Sequence, residues 1–141
     1  GLFGRAARRS AERATAARAE AVLADLEIPH MRDEPARTLS GGQRKLLSLG
    51  RLMMRRPPLM LLDEPAAGVN RRLAGDLFER IAALNRQGTT FLIVEHEMQL
   101  VMRYCDRIIV MHQGRVLAEG TPAEIRANAA VIEAYLGGAV A

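Results

Sequence analysis

Four consecutive apolar residues, Leu59-Met60-Leu61-Leu62, run directly into Asp63-Glu64-Pro65. An unbroken apolar run this short reads as a strand buried on both faces, the pattern of a parallel sheet. The pattern recurs at Thr89 to Val94, which again ends in charge at Glu95-His96-Glu97. Between the two, Leu73, Leu77, Ile81 and Leu84 form one stripe of a helix from about Arg71 to Asn85, capped by Gln87-Gly88. Strand, helix and strand in alternation predict an α/β fold with a mostly parallel sheet and flanking helices. Ligands of such sheets bind beyond the carboxyl ends of the strands. Asp63, Glu64 and His96 all fall at that edge.

The rest of the chain fits around this unit. Ala6 to Leu26 contains no Gly or Pro, and Ala7, Ala11, Ala14, Ala17 and Ala21 recur at helical spacing among Arg and Glu. This predicts an amphipathic helix with a thin apolar face, ended by Ile28-Pro29-His30 because the residue before proline avoids the helical region. A polar loop is expected from Met31 to Leu39. Ser40 is a candidate N-cap for an apolar helix over Arg44 to Arg56, which Pro57-Pro58 stops. Further on, Met98 to Tyr104 reads as helix. Ile108 to Met111 and Val116 to Ala118 read as strands around the turn Gln113-Gly114. Thr121-Pro122-Ala123-Glu124 opens a helix with Pro at its first position, and a last helix is expected over Ala129 to Leu136.

Composition excludes several classes. The 141 residues are 49% hydrophobic and 26% charged, a globular balance. The net charge of +4 is too small to argue nucleic-acid binding, and 4% aromatics without tryptophan supply no base-stacking platform. A nucleic-acid-binding helix at Arg5 to Arg18 competes poorly with a solvated Ala/Arg helix. A single cysteine, Cys105, excludes a disulfide framework and any multi-cysteine metal site. No apolar run approaches the roughly 20 residues of a transmembrane helix. The Arg- and Ala-rich start is a little like a transit peptide, but Glu12 and Glu20 argue against it. His30 and His112 read as structural.

Three elements carry the chemistry. Ser40-Gly41-Gly42-Gln43 opens a helix, where exposed backbone N–H groups, the helix dipole and a hydroxyl can grip a phosphate; a plain capped loop is the competing reading. Asp63 at the tip of a rigid apolar strand can hold Mg²⁺ on nucleotide phosphates, and Glu64 directly after it can take a proton from water; here the competing reading is a capping Asp. His96 follows the second strand.

Taken in order, Leu39-Ser40-Gly41-Gly42-Gln43, Leu59 to Pro65 and Val94-Glu95-His96 resemble the nucleotide-binding subunit of ABC transporters, and the resemblance covers essentially the whole chain. It implies that residues 1–56 are the end of the helical subdomain and 57–141 the C-terminal half of a P-loop ATPase core. It implies that Asp63 is the Mg²⁺-associated Walker-B residue, Glu64 the catalytic base and His96 the switch histidine that senses the γ-phosphate. Ser40, Gly41, Gly42 and Gln43 would be the signature loop, contacting ATP held mainly by a second ATP-binding subunit. Asn70 falls in the D-loop, where most members carry Asp. Within the family, Asp-Glu-Pro-Ala-Ala-Gly-Val-Asn, Val-Glu-His-Glu-Met and the ending Glu-Ala-Tyr-Leu-Gly look most like branched-chain amino acid importers. The alternative is the ATPase of lipopolysaccharide export, or of another solute, since the Gly120 to Ile125 stretch also resembles the lipopolysaccharide-export ATPase. The implied setting is the cytoplasmic face of a bacterial inner membrane, against permease subunits and, indirectly, a solute-binding protein.

A complete cassette of this kind needs G-x-x-x-x-G-K-S/T to cradle phosphates. The one lysine, Lys45, lies between Arg44 and Leu46, so the 141 residues contain no P-loop. The resemblance therefore implies a C-terminal fragment, inactive alone. The other readings are a non-catalytic ATPase-like module and an ABC-type DNA-repair ATPase; the helical stretch before Ser40 is too short for the coiled coil of the latter.

Overall fold

The computed structural model describes residues 2–135 of the chain, with side chains from Arg5 onward. Two compact units divide the chain at Val94/Glu95. In the first, α1 (Leu2–Asp25) and α2 (Gly41–Met53) precede β1 (Leu59–Asp63), α3 (Arg71–Arg86) and β2 (Thr90–Val94). Short 3-10 turns at Pro29–Met31 and Ala36–Thr38 interrupt the expected loop.

Helix α1 ends before the proline rather than at it. Glu27 takes φ 55°, and the Ile28 N–H donates back to the Leu23 carbonyl at 2.9 Å. The alanine stripe is not buried as the amphipathic pattern predicts: residues 5–17 are exposed, and burial begins only with Val22 and Leu26. A methyl group offers little area to remove from water, and no described element covers those turns. The helix is fastened at its C-terminal end instead. The Arg18 Nε donates to the Met54 carbonyl at 2.8 Å, and the same guanidinium bonds the Met53 carbonyl. These carbonyls, of the last residue of α2 and of its C-cap, have no partner within the helix. Glu27 pairs with Arg80 of α3.

Helix α2 begins at Gly41 and stops at Met53, a frame shifted toward the N-terminus of the expected Arg44 to Arg56. Its start is set by a complete capping box. The Gln43 N–H donates to Ser40 Oγ at 3.3 Å, and the Ser40 N–H donates to Gln43 Oε1 at 2.8 Å. Leu46, Leu49 and Met53 of α2 join Val22, Leu26, Ile28, Met31, Leu39, Met60, Leu77, Ile81 and Leu84 in one core.

β1 and β2 pair in parallel, Leu59 opposite Thr90 through Asp63 opposite Val94. Parallel neighbours need a crossover, and α3 supplies it. Both faces of β1 were expected to be buried, yet only one is covered. Met60 is 4% exposed, whereas Leu61 is 65%, Leu92 57% and Val94 60%. The unit has a two-stranded sheet whose helical core lies against a single face.

The second unit contains α4 (Met98–Tyr104), β3 (Ile108–His112), β4 (Arg115–Gly120), α5 (Pro122–Ala127) and α6 (Ala129–Tyr135). β3 and β4 form an antiparallel hairpin, so the chain is not parallel throughout. Gln113 and Gly114 take φ 48° and 75°, the two positive values that a tight hairpin of matching twist requires. Thr121 and Glu124 form a second capping box, which holds the Glu124 carboxyl below its ordinary range. Ile108, Val110, Ile125 and Val131 make the core of this unit. Half-buried Cys105 has its thiol pushed up by burial and then by the charge of Asp106. The expected final helix reaches Tyr135; Leu136 lies outside the described residues.

Two outcomes are expected. A purified chain of these residues should self-associate through the uncovered face, and Leu61→Thr with Leu92→Thr should lower its light scattering while keeping strand propensity. Unchanged scattering would remove this face as the cause. Secondly, Arg80 holds the Glu27 carboxyl below the ordinary carboxylate range, first by hydrogen bonding and then by charge. Its contribution is therefore present above the ordinary carboxylate pKa and lost as pH falls through the lowered one. Urea unfolding from pH 7 to pH 3 should be less steeply acid-dependent in Glu27→Gln. The difference should be small, because Glu27 is 70% exposed.

Candidate functional site

The first unit brings seven of the eight sequence-predicted site residues onto three adjoining features. Ser40, Gly41, Gly42 and Gln43 form the start of α2. Asp63 ends β1, and Glu64 begins the loop that follows. Asn70 is the N-cap of α3, accepting from the Leu73 N–H at 2.9 Å. His96 belongs to the second unit; it follows Val94 by two residues in the chain, and its backbone N–H donates to the Glu95 carboxylate at 3.2 Å.

Glu64 has the most constrained backbone of the set. It takes φ 43°, a left-handed conformation that costs an L-residue about 1–2 kcal/mol. The chain leaves the strand there, and hydrogen bonds hold the turn on both sides. The Glu64 N–H donates to the Val94 carbonyl at 2.9 Å, continuing the β1–β2 ladder by one bond. The Glu64 carbonyl accepts from the Ala67 N–H at 3.0 Å and from the Lys45 Nζ at 2.9 Å. Both Asp63 and Glu64 are exposed, while Pro65 and Ala66 beneath them are buried. The strand tip thus offers two carboxylates to solvent from an anchored base.

The start of α2 lies beside this loop. A groove of about 350 Å³ runs between them, lined by Gly41, Arg44, Lys45, Ser48, Ala67 and Gly68. The two glycines differ in surroundings. Gly41 is exposed and has room, the nearest atom to an added Cβ being the Gly68 carbonyl oxygen at 4.0 Å. Gly42 is buried, and an added Cβ would sit 1.7 Å from Leu73 Cδ2 of α3. Gly42 is therefore what lets α2 approach α3. Lys45, which in the sequence only excluded a P-loop, reaches the loop after β1 in the structure. The available signal was its position one turn beyond Gly41 on the same helical face, as the sole lysine among 20 basic residues.

A strand tip bearing two exposed carboxylates stands beside a capped helix start, and comparison with known proteins gives the family this arrangement belongs to. The ABC transporter family profile matches residues 3–67, and that of the branched-chain amino acid ATP-binding cassette transporters matches residues 115–141. The latter includes the Gly120 to Ile125 stretch. In structure the chain resembles the ADP form of MJ1267, an ATP-binding cassette of an ABC transporter. The TM-score is 0.79 at 38% identity, covering 87% of this chain and 50% of that one. The chain belongs to the ATP-binding domains of ABC transporters.

Two relatives within that family carry branched-chain amino acid transport in their names. It is 44% identical over 138 residues to the high-affinity branched-chain amino acid transport ATP-binding protein BraF of Pseudomonas aeruginosa, covering 97% of this chain and 54% of the relative. It is 46% identical over 116 residues to the probable branched-chain amino acid transport ATP-binding protein LivG of Archaeoglobus fulgidus, covering 82% and 45%. The chain spans about half the length of the curated relatives it matches. No helix among the described residues is long and apolar enough to cross a membrane.

Gly42→Ala tests the packing of α2 on α3. Overpacking of this kind costs about 1–3 kcal/mol, against a helix-propensity gain of up to about 1 kcal/mol. Net destabilisation is expected by urea unfolding. Adding Leu73→Ala should recover part of it, so that the double variant is more stable than the sum of the single effects. Strict additivity would show that the two residues do not meet.

Proposed function

We propose that these residues form the part of an ATP-binding subunit that carries the signature helix and the catalytic carboxylates, and that the whole subunit hydrolyses ATP to energise uptake of branched-chain amino acids. The observation that carries this reading is an unaltered Leu39–Gln43 signature in the same compact unit as a strand ending in Asp63-Glu64. The names of the relatives supply the solute class.

In this reading the Glu64 carboxylate accepts a proton from the water that attacks the γ-phosphate. The left-handed turn at Glu64 presents the side chain beyond the strand end, where parallel sheets bind ligands. The start of α2 closes on ATP held mainly by a second subunit. Ser40 Oγ accepts from the Gln43 N–H, which leaves its own O–H as a donor to a phosphate oxygen, and Gly41 leaves space for one. Asn70 would border that nucleotide from the D-loop. His96 would sense the γ-phosphate. Mg²⁺ fits the donor set: Asp63 offers an exposed carboxylate, and this ion takes one or two carboxylates, with phosphates and waters completing its shell. When bound, it neutralises charge on the phosphate oxygens.

The 141 residues contain no phosphate-cradling loop, so by themselves they should release no phosphate. The complete subunit would sit peripherally on the cytoplasmic membrane face, paired with a second ATP-binding subunit and docked on permease subunits that receive solute from a binding protein. It would have no nucleic-acid partner.

The test is ATP binding, subunit pairing and turnover of the full-length subunit, with leucine uptake by cells that depend on it. Glu64→Gln should lower hydrolysis by about 10²-fold or more while keeping ATP binding, and should abolish uptake. Asp63→Asn should weaken Mg²⁺-dependent binding. Ser40→Arg should block pairing, and His96→Ala should slow turnover with binding kept. Near-normal hydrolysis in Glu64→Gln would remove Glu64 from the mechanism. Normal hydrolysis without leucine, isoleucine or valine uptake would overturn the solute assignment alone.

A further inference from the structure

The bond from Lys45 to the Glu64 carbonyl ties together two parts of the chain 19 residues apart, the signature helix and the catalytic loop. Its acceptor belongs to the one proposed site residue whose backbone is left-handed. A φ of 43° is unfavourable for glutamate, so the turn needs external support. Support comes from the loop and strands themselves, through the Val94 carbonyl on the Glu64 N–H and the Ala67 N–H on the Glu64 carbonyl. It comes also from the Lys45 ammonium, which belongs to a different element.

The donor end is also fixed. Lys45 lies in the second turn of α2. The capping box of Ser40 and Gln43 holds the start of this helix, and Gly42 sits against Leu73 of α3. Around the bond, Gly41, Arg44, Ser48, Ala67 and Gly68 leave a groove rather than packed side chains. Across that groove, the charge-assisted hydrogen bond is a direct polar link from the helix to the Glu64 turn.

We infer that Lys45 is a positioning residue for Glu64: its ammonium holds the Glu64 carbonyl, and through it the direction in which the carboxylate projects, according to where α2 stands. This rests on the proposed role of Glu64 as base. It makes the efficiency of that base depend on the signature helix of the same subunit, separately from any contact of the helix with nucleotide. Lys45 touches the backbone of Glu64 rather than reacting atoms, so its loss affects geometry and leaves proton chemistry available.

The experiment compares Lys45→Met, Lys45→Arg and Lys45→Gln in the full-length subunit, with Glu64→Gln and the double variant Lys45→Met/Glu64→Gln in parallel. Lys45→Met keeps the aliphatic stem and removes the donor. Its kcat should fall about ten- to a hundredfold, the cost of a misplaced catalytic group, with KM for ATP and melting temperature near those of the parent. Lys45→Arg, which still donates to a carbonyl, should restore most of kcat, and Lys45→Gln should lie between. The double variant should be no slower than Glu64→Gln, because both changes act through one carboxylate. Parental kcat in Lys45→Met, or a fall in kcat matched by lost melting temperature and not restored by Arg, would overturn the inference. If Lys45→Met fails to fold, the rank order of Arg above Gln decides it, and equal kcat in those two would also overturn it. Failure of the base itself reads out separately, as retained hydrolysis in Glu64→Gln.

Discussion

The parallel register that sets Asp63 opposite Val94 governs the rest of the first unit. It brings the ends of β1 and β2 level, and the next N–H after β1, that of Glu64, then meets the Val94 carbonyl. That last bond arrests the strand and leaves the chain to turn with a positive φ at a residue that does not favour it. The register also requires a crossover, and the apolar stripe of α3 provides one that buries Leu77, Ile81 and Leu84 with Met60 in the same core. A slip of one residue would turn Met60 outward and Leu61 inward. It would also carry the carboxylates away from the strand tip.

Helix α2 connects this sheet to the candidate phosphate-binding surface. Its N-terminal backbone donors are only partly used by the capping box, which is why a helix start can both fold stably and face a ligand. The two glycines at its start divide the work: Gly42 gives α3 room to approach, and Gly41 leaves the outer surface open. Arg18 closes the other end by bonding the carbonyls of Met53 and Met54. The helix is thereby fixed at both ends to its own unit, a rigid support for the residues at its start.

Much of this was legible because its causes are local. Alternation of apolar runs with a 3.6-residue stripe located β1, α3 and β2 to within a residue or so. Gln113-Gly114 announced the hairpin, and Thr121-Pro122-Ala123-Glu124 announced a capped helix, since each motif satisfies backbone groups within a few residues of itself. Ser40 as N-cap was readable for the same reason. The illegible parts involve partners far apart in the chain. Glu27 meets Arg80 across 53 residues and Lys45 meets Glu64 across 19. The alanine stripe of α1 had the right period, but periodicity does not reveal whether anything lies alongside. The apolar run of β1 implied cover on both faces, and a run of letters does not say how many helices are present to provide it.

By itself, then, the sequence determined the elements, their order and the motifs at their ends, because hydrophobic period, capping chemistry and turn residues act over a few positions. It determined the family too, through the unbroken signature and the strand ending in Asp63-Glu64. Only the tertiary structure decided that Glu64 turns left-handed, that Gly42 is a packing residue, and that Lys45 spans from α2 to the loop after β1. Those outcomes depend on the separation of elements brought together by the core, and a hydrogen bond between them forms only when that separation comes within about 3 Å.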